Sequence, residues 1–110
     1  MRYLLSVLDS GPAAVERALL ADLLARGALV CSGTLAPATA ATTVRAGEGK
    51  RTIDPRPLSR GPAVAAFLVV DCADLDEAIA VAERCGRTVE IRPVEPGQTA
   101  VDSAAPRSSA

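Results

Sequence analysis

The amino-acid sequence predicts an α+β domain: an antiparallel sheet with two helices on one face and a β-hairpin inserted between its halves. Three observations predict it. Two stretches carry apolar residues at helical spacing, four runs are apolar or alternate with a period of two, and one pair of polar, β-branched runs flanks a glycine-rich turn. Their order along the chain is strand, helix, strand, hairpin, strand, helix, strand. This is a split βαβ arrangement, in which both helices cover the same side of the sheet.

Each element has its own local reason. "RYLLSVL" is the first strand, and the "DSGP" after it is turn chemistry that leads into a helix with Pro12 in its first turn. In "PAAVERALLADLLARG", Val15, Leu19 and Leu23 repeat every four residues and Leu20 and Leu24 widen the stripe, while Glu16, Arg17, Asp22 and Arg26 take the other side. Gly27 ends that helix. "ALVCSGTL" is the next strand, with Gly33 marking a bulge or a bend. "TTVRA" and "KRTI" face each other across "GEGK" as a hairpin whose outer face is wet. "AVAAFLVVD" is nearly continuous in apolar residues, which predicts a central strand covered on both sides.

In "DCADLDEAIAVAERCG", Asp74 caps a second helix with Glu77 three positions on, and Leu75, Ala78, Ile79, Ala82 and Cys85 form one face before Gly86 closes it. These acids lack the glycine turn and terminal glutamate of a calcium-binding loop, so they read as caps. "TVEIRPV" alternates, with Val89 and Ile91 on one face and Thr88, Glu90 and Arg92 on the other. The domain spans residues 1–95, and the Pro-, Ser- and Ala-rich residues 96–110 read as a disordered tail.

The chain has 110 residues, enough for one domain that buries roughly 65% of its unfolded surface. Tyr3 and Phe67 are the only aromatics, so the core is built from small aliphatic side chains and oligomerisation is expected to help it. Twelve Lys and Arg against thirteen Asp and Glu leave a net charge of −1, with no basic footprint for nucleic acid. No apolar run approaches the roughly 20 residues of a membrane span, and the N-terminus lacks the regions of a signal peptide, so a cytoplasmic protein is expected. Cys31, Cys72 and Cys85 are odd in number and widely spaced, which reads as buried, reduced thiols with no metal role. The chain has no histidine, and this removes the commonest general base and leaves Cys31 without a partner as a nucleophile. No cofactor is called for.

A sheet with both helices on one side leaves its other face bare. Closing that face against a second copy makes a two-fold homodimer, with a pocket for a small organic molecule between the sheets. Four residues are candidates to line it. Asp54 in the loop after the hairpin could act as a general base or anchor a ligand, or accept backbone N–H bonds as a loop cap ahead of Pro55. Arg92 and Glu90 share a strand face, where Arg92 offers a forked donor to a carboxylate or phosphate, and a cross-strand salt bridge satisfies the same pattern. Arg45 on the hairpin is the nearest other cation.

Through "GALVCSGTLAPATAATTVRAGEGKRTID", "FLVVDCADLDEAIAVAERC" and "TVEIRPV" the chain resembles the YCII-related proteins, within them the group named for the tetrapeptide DGPF. The "DLDEAI" and "VEIRPV" pieces are the most specific, and the likeness covers most of residues 1–95. It implies a ferredoxin-like sheet in a dimeric α+β barrel, as in many small bacterial proteins of undefined biochemistry. Some members of that family resemble companions of sigma factors, and some relatives act as small-molecule lyases or hydrolases through a His and Asp pair.

At the signature this chain departs. It reads "DPRPL", where Asp54 matches the Asp, Pro57 the Pro and Leu58 the Phe, and Pro55 and Arg56 replace the single Gly. The acidic, lysine-containing stretch that usually follows is reduced to "SRGPAV". The loop therefore loses access to positive φ and gains rigidity, and the His-dependent chemistry is not carried over. Three functions remain open: a dimeric small-molecule-binding or accessory protein, a small lyase- or isomerase-type enzyme using Asp54, and a protein-interaction module linked to transcription or biosynthesis.

Overall fold

A computed structural model describes residues 1–8, 15, 17–58 and 60–97. The expected "DSGP" turn, Pro12, Glu16 and all but the first two residues of the expected tail lie outside them. The elements are β1 (Arg2–Leu8), α1 (Arg17–Ala25), β2 (Leu29–Thr34), a short 3-10 turn (Ala38–Ala40), β3 (Thr43–Gly47), β4 (Lys50–Asp54), β5 (Val64–Asp71), α2 (Leu75–Arg84) and β6 (Val89–Pro93). Four strands form an antiparallel sheet in the order β2-β5-β1-β6, and β3 and β4 form a separate two-stranded ribbon.

Alternation along β1 and β5 sets the core. Tyr3, Leu5 and Val7 pair across to Val70, Leu68 and Ala66, and all six side chains are buried on one face. Leu19 and Leu23 of α1 and Ala78, Val81 and Ala82 of α2 complete the same cluster, so both helices cover that face. Ile91 and Val89 of β6 pack at its edge opposite Leu5 and Val7. The other face carries Leu4, Ser6, Leu8, Ala65, Phe67 and Val69, which stay half-buried, with no helix of the described residues over them. β5 is central, as its apolar run predicts, yet among the described residues the helices cover it on one side only.

The helix ends follow local chemistry. The Asp74 carboxylate accepts the Glu77 backbone N–H at 2.9 Å, the expected cap. At the end of α1, Gly27 takes φ +69° and the Ala28 N–H reaches the Leu23 carbonyl at 2.8 Å, which closes the helix.

Helix faces differ from their spacing. Leu24 is 67% exposed. Asp22, two positions before it, pairs with Arg84 of α2 at 2.7 Å and with Arg26 at 3.4 Å, and this turns the Asp22 side toward α2 and Leu24 away. That hydrogen bond from Arg84 holds the Asp22 carboxyl below its ordinary range, against a smaller opposing effect of burial and with help from Arg26. In α2, Leu75 and Ile79 are 50% and 40% exposed and Val81 is buried instead. Alanines at 78 and 82 let the helix lie close to the sheet, Val81 fills the space between, and the larger side chains move to the rim.

The strand β2 also corrects its expectation. Its bulge falls between Leu29 and Cys31, and Gly33 is instead the seat of the Phe67 ring. A Cβ at position 33 would lie 2.6 Å from Cε1 of Phe67, so only glycine admits the ring there. On this edge strand Cys31 pairs with Val69 and is exposed, whereas Cys72 is buried and Cys85 half-buried. Burial pushes the Cys72 thiol up, with the Glu77 carboxylate adding to it, and burial likewise raises Cys85. At dilutions that keep chains apart, a thiol reagent is expected to modify Cys31 first and Cys72 last. Fast labelling that persists in Cys31→Ser would contradict this order. Among the described residues no helix is long and apolar enough to cross a membrane.

Candidate functional site

The hairpin β3–β4 turns through Glu48 and Gly49, at φ +51° and +76°. Positive φ at both positions is the two-residue turn that "GEGK" encodes, and it fixes the register of everything below it. Val44 then lies beside Ile53 and Ala46 beside Arg51 on one face, while Thr43 lies beside Asp54 and Arg45 beside Thr52 on the other. One face is thus mainly apolar and the other polar. Val44 and Ile53 are 57% and 55% exposed, so the apolar face has no cover among the described residues.

At the foot of the polar face the chain enters "DPRPL". Pro55 and Pro57 have no N–H to offer, so the backbone cap expected for Asp54 has few donors nearby. The Arg56 side chain takes that place: its Nε donates to Asp54 Oδ1 at 2.9 Å and its Nη2 to Oδ2 at 3.4 Å. Thr43 Oγ1 donates to the Arg56 carbonyl at 2.6 Å and ties the loop back to β3. Both ends of Arg56 are therefore anchored, and the prolines stiffen what lies between.

This loop and the hairpin enclose an open groove of about 390 Å³ lined by Arg45, Asp54, Arg56, Pro57, Leu58 and Arg60. Three arginines and one carboxylate line it, which leaves two positive charges in excess. The structure brings Arg45 and Asp54 together, as two of the four candidates. Glu90 and Arg92 do not line the groove; they stand on the exposed side of β6, opposite Ser6 and Leu4, and pair with each other at 3.6 Å. The bridge runs along one face of β6 and not across to a neighbouring strand, as the pattern also allowed.

Arg60 and Leu58 as pocket residues, and Arg56 as the partner of Asp54, were not singled out by sequence reasoning. The available signal was the basic residue two and six positions after Asp54 in a proline-stiffened loop. Among the described residues two other concavities with charged linings are smaller. One of about 330 Å³ lies between the helices, over the Asp22, Arg26 and Arg84 pairs, and one of about 270 Å³ lies beside Met1, Arg2 and Asp71. In both, the arginines already have an aspartate: Arg26 and Arg84 pair with Asp22, and Arg2 with Asp71. Neither a protein-family model nor a curated protein matches this chain.

Proposed function

We propose that this chain is a small-molecule-binding protein that works as a homodimer, a YCII-related domain whose ligand lies in the groove at the foot of the hairpin. The observation that carries the reading is that Arg45, Arg56 and Arg60 line one groove with the single carboxylate of Asp54, beside apolar Pro57 and Leu58. A concave site with a few convergent polar groups and an apolar wall is the usual form of a small-ligand pocket. Asp54 is a positioning acid in this reading, since both its oxygens accept from Arg56.

The strand order β2-β5-β1-β6, with its two connecting helices, supports assigning the sheet to the ferredoxin-like, split βαβ kind. Two uncovered apolar surfaces support a second copy of the chain as partner. The sheet face with Leu4, Phe67 and Val69 is one, and the hairpin face with Val44 and Ile53 is the other. A lone two-stranded ribbon is marginal in water, and a second copy that closes on both surfaces into a dimeric α+β barrel removes that weakness.

The test is a thermal-shift screen of the full chain against small organic acids, amines and neutral aromatics, with an Arg45→Ala, Arg60→Ala double variant beside it. A ligand at 100 times its Kd adds about 2.7 kcal/mol, which raises the midpoint by roughly 10–20 °C in a domain of this size. The expected result is a shift for at least one compound that the double variant loses. If every compound leaves the midpoint in place, the binding reading fails.

A further inference from the structure

We infer that the groove takes an oxyanion, a carboxylate or phosphate carried on a small apolar body, held between the guanidiniums of Arg45 and Arg60. This rests on the groove being the binding site and names what it binds. Among the three arginines only Arg56 has an acidic partner among the described residues, and it occupies both oxygens of Asp54. Arg45 and Arg60 line the same groove without an ion pair of their own among the described residues.

Positive charges gathered around one neutralised carboxylate repel one another, and an anion set between them relieves that repulsion. A guanidinium presents a planar fork that matches two oxygens of a carboxylate or phosphate. A cation would meet the excess charge and be refused. The loop that carries Arg60 follows the anchored Arg56 and two prolines, so part of the site is in place before a ligand arrives.

The rest of the lining sets the body of the ligand. Pro57 and exposed Leu58 supply an apolar wall, and a volume near 390 Å³ suits a small molecule. A nucleic-acid strand fits poorly, because neither aromatic residue of the chain lies in the groove and stacking is the usual complement to phosphate contacts.

Titration calorimetry of the full chain at low salt tests this with benzoate, phenyl phosphate and neutral benzamide. One or both anions are expected to bind at least about tenfold more tightly than benzamide, as charged hydrogen bonds predict. Arg45→Gln and Arg60→Gln are each expected to weaken the anion by about tenfold or more, whereas Arg92→Gln leaves it unchanged. Affinity is expected to fall as salt rises, because the groove is open. Whether benzoate or phenyl phosphate binds better tells a carboxylate ligand from a phosphate one.

Benzamide binding as well as benzoate would overturn the oxyanion assignment and leave the groove standing as a site for neutral compounds. Anion binding that survives both Gln substitutions would place the anion elsewhere and overturn it too. If neither anion binds, the assignment fails, and the screen with neutral compounds then decides separately whether the groove binds anything.

Discussion

Leu68→Ala is expected to lower the stability of the fold by about 2–5 kcal/mol, the range for removing a fully buried leucine and leaving a cavity. Leu68 sits in the middle of the central strand β5, wholly buried, opposite Leu5 of β1 on one side and Ser32 of β2 on the other. Both helices press on the face it belongs to, so the space left behind has little freedom to collapse. Whole domains are held by only about 5–15 kcal/mol, so this one change removes a large share. Urea denaturation at fixed protein concentration measures it. A loss under about 1 kcal/mol, the scale of ordinary surface changes rather than of core leucines, would mean that the sheet and helices do not enclose a packed core at that point.

The next residue along the strand is expected to act on assembly. Val69 faces the uncovered side of the sheet, between Leu4 of β1 and Cys31 of β2. Val69→Glu puts a carboxylate in the centre of the surface assigned to a second copy. Burying such a charge without a partner costs about 3–5 kcal/mol, which weakens dimerisation by at least about a hundredfold. Far-UV circular dichroism should change little, because the side chains under the helices are untouched.

Sedimentation is the measurement for that variant, and Cys31 gives a second readout. Its thiol lies beside Val69 on the same face, so in the wild type its labelling is expected to slow as protein concentration rises and in Val69→Glu to stay fast. A wild type that sediments as a monomer at high micromolar concentration sinks the dimer. It leaves the groove, which lies on the opposite, polar face of the hairpin, to be judged by ligand binding.

Elements set by near neighbours along the chain were legible from residues alone. Tyr3, Leu5 and Val7 alternate with Leu4, Ser6 and Leu8 in the sequence as they do in β1, because a strand's two faces follow from its pleat. Asp74 caps α2 because its carboxylate and the Glu77 N–H are a single turn apart. The hairpin register follows from a two-residue turn at Glu48 and Gly49. None of these needs a distant partner.

Tertiary structure decided the rest, through contacts between residues far apart in sequence. Leu24 and Ile79 have the spacing of core residues, yet the Asp22 to Arg84 pair and the close seating of Ala78 and Ala82 turn them outward. Gly33 carries a glycine because Phe67, on another strand, lies across it. The four candidate site residues part company for the same reason. Arg45 and Asp54 meet because the hairpin folds back on itself, while Glu90 and Arg92 ride on an edge strand and satisfy each other. Periodicity reports which side of an element a residue occupies, and only the packing of elements determines what lies across from it.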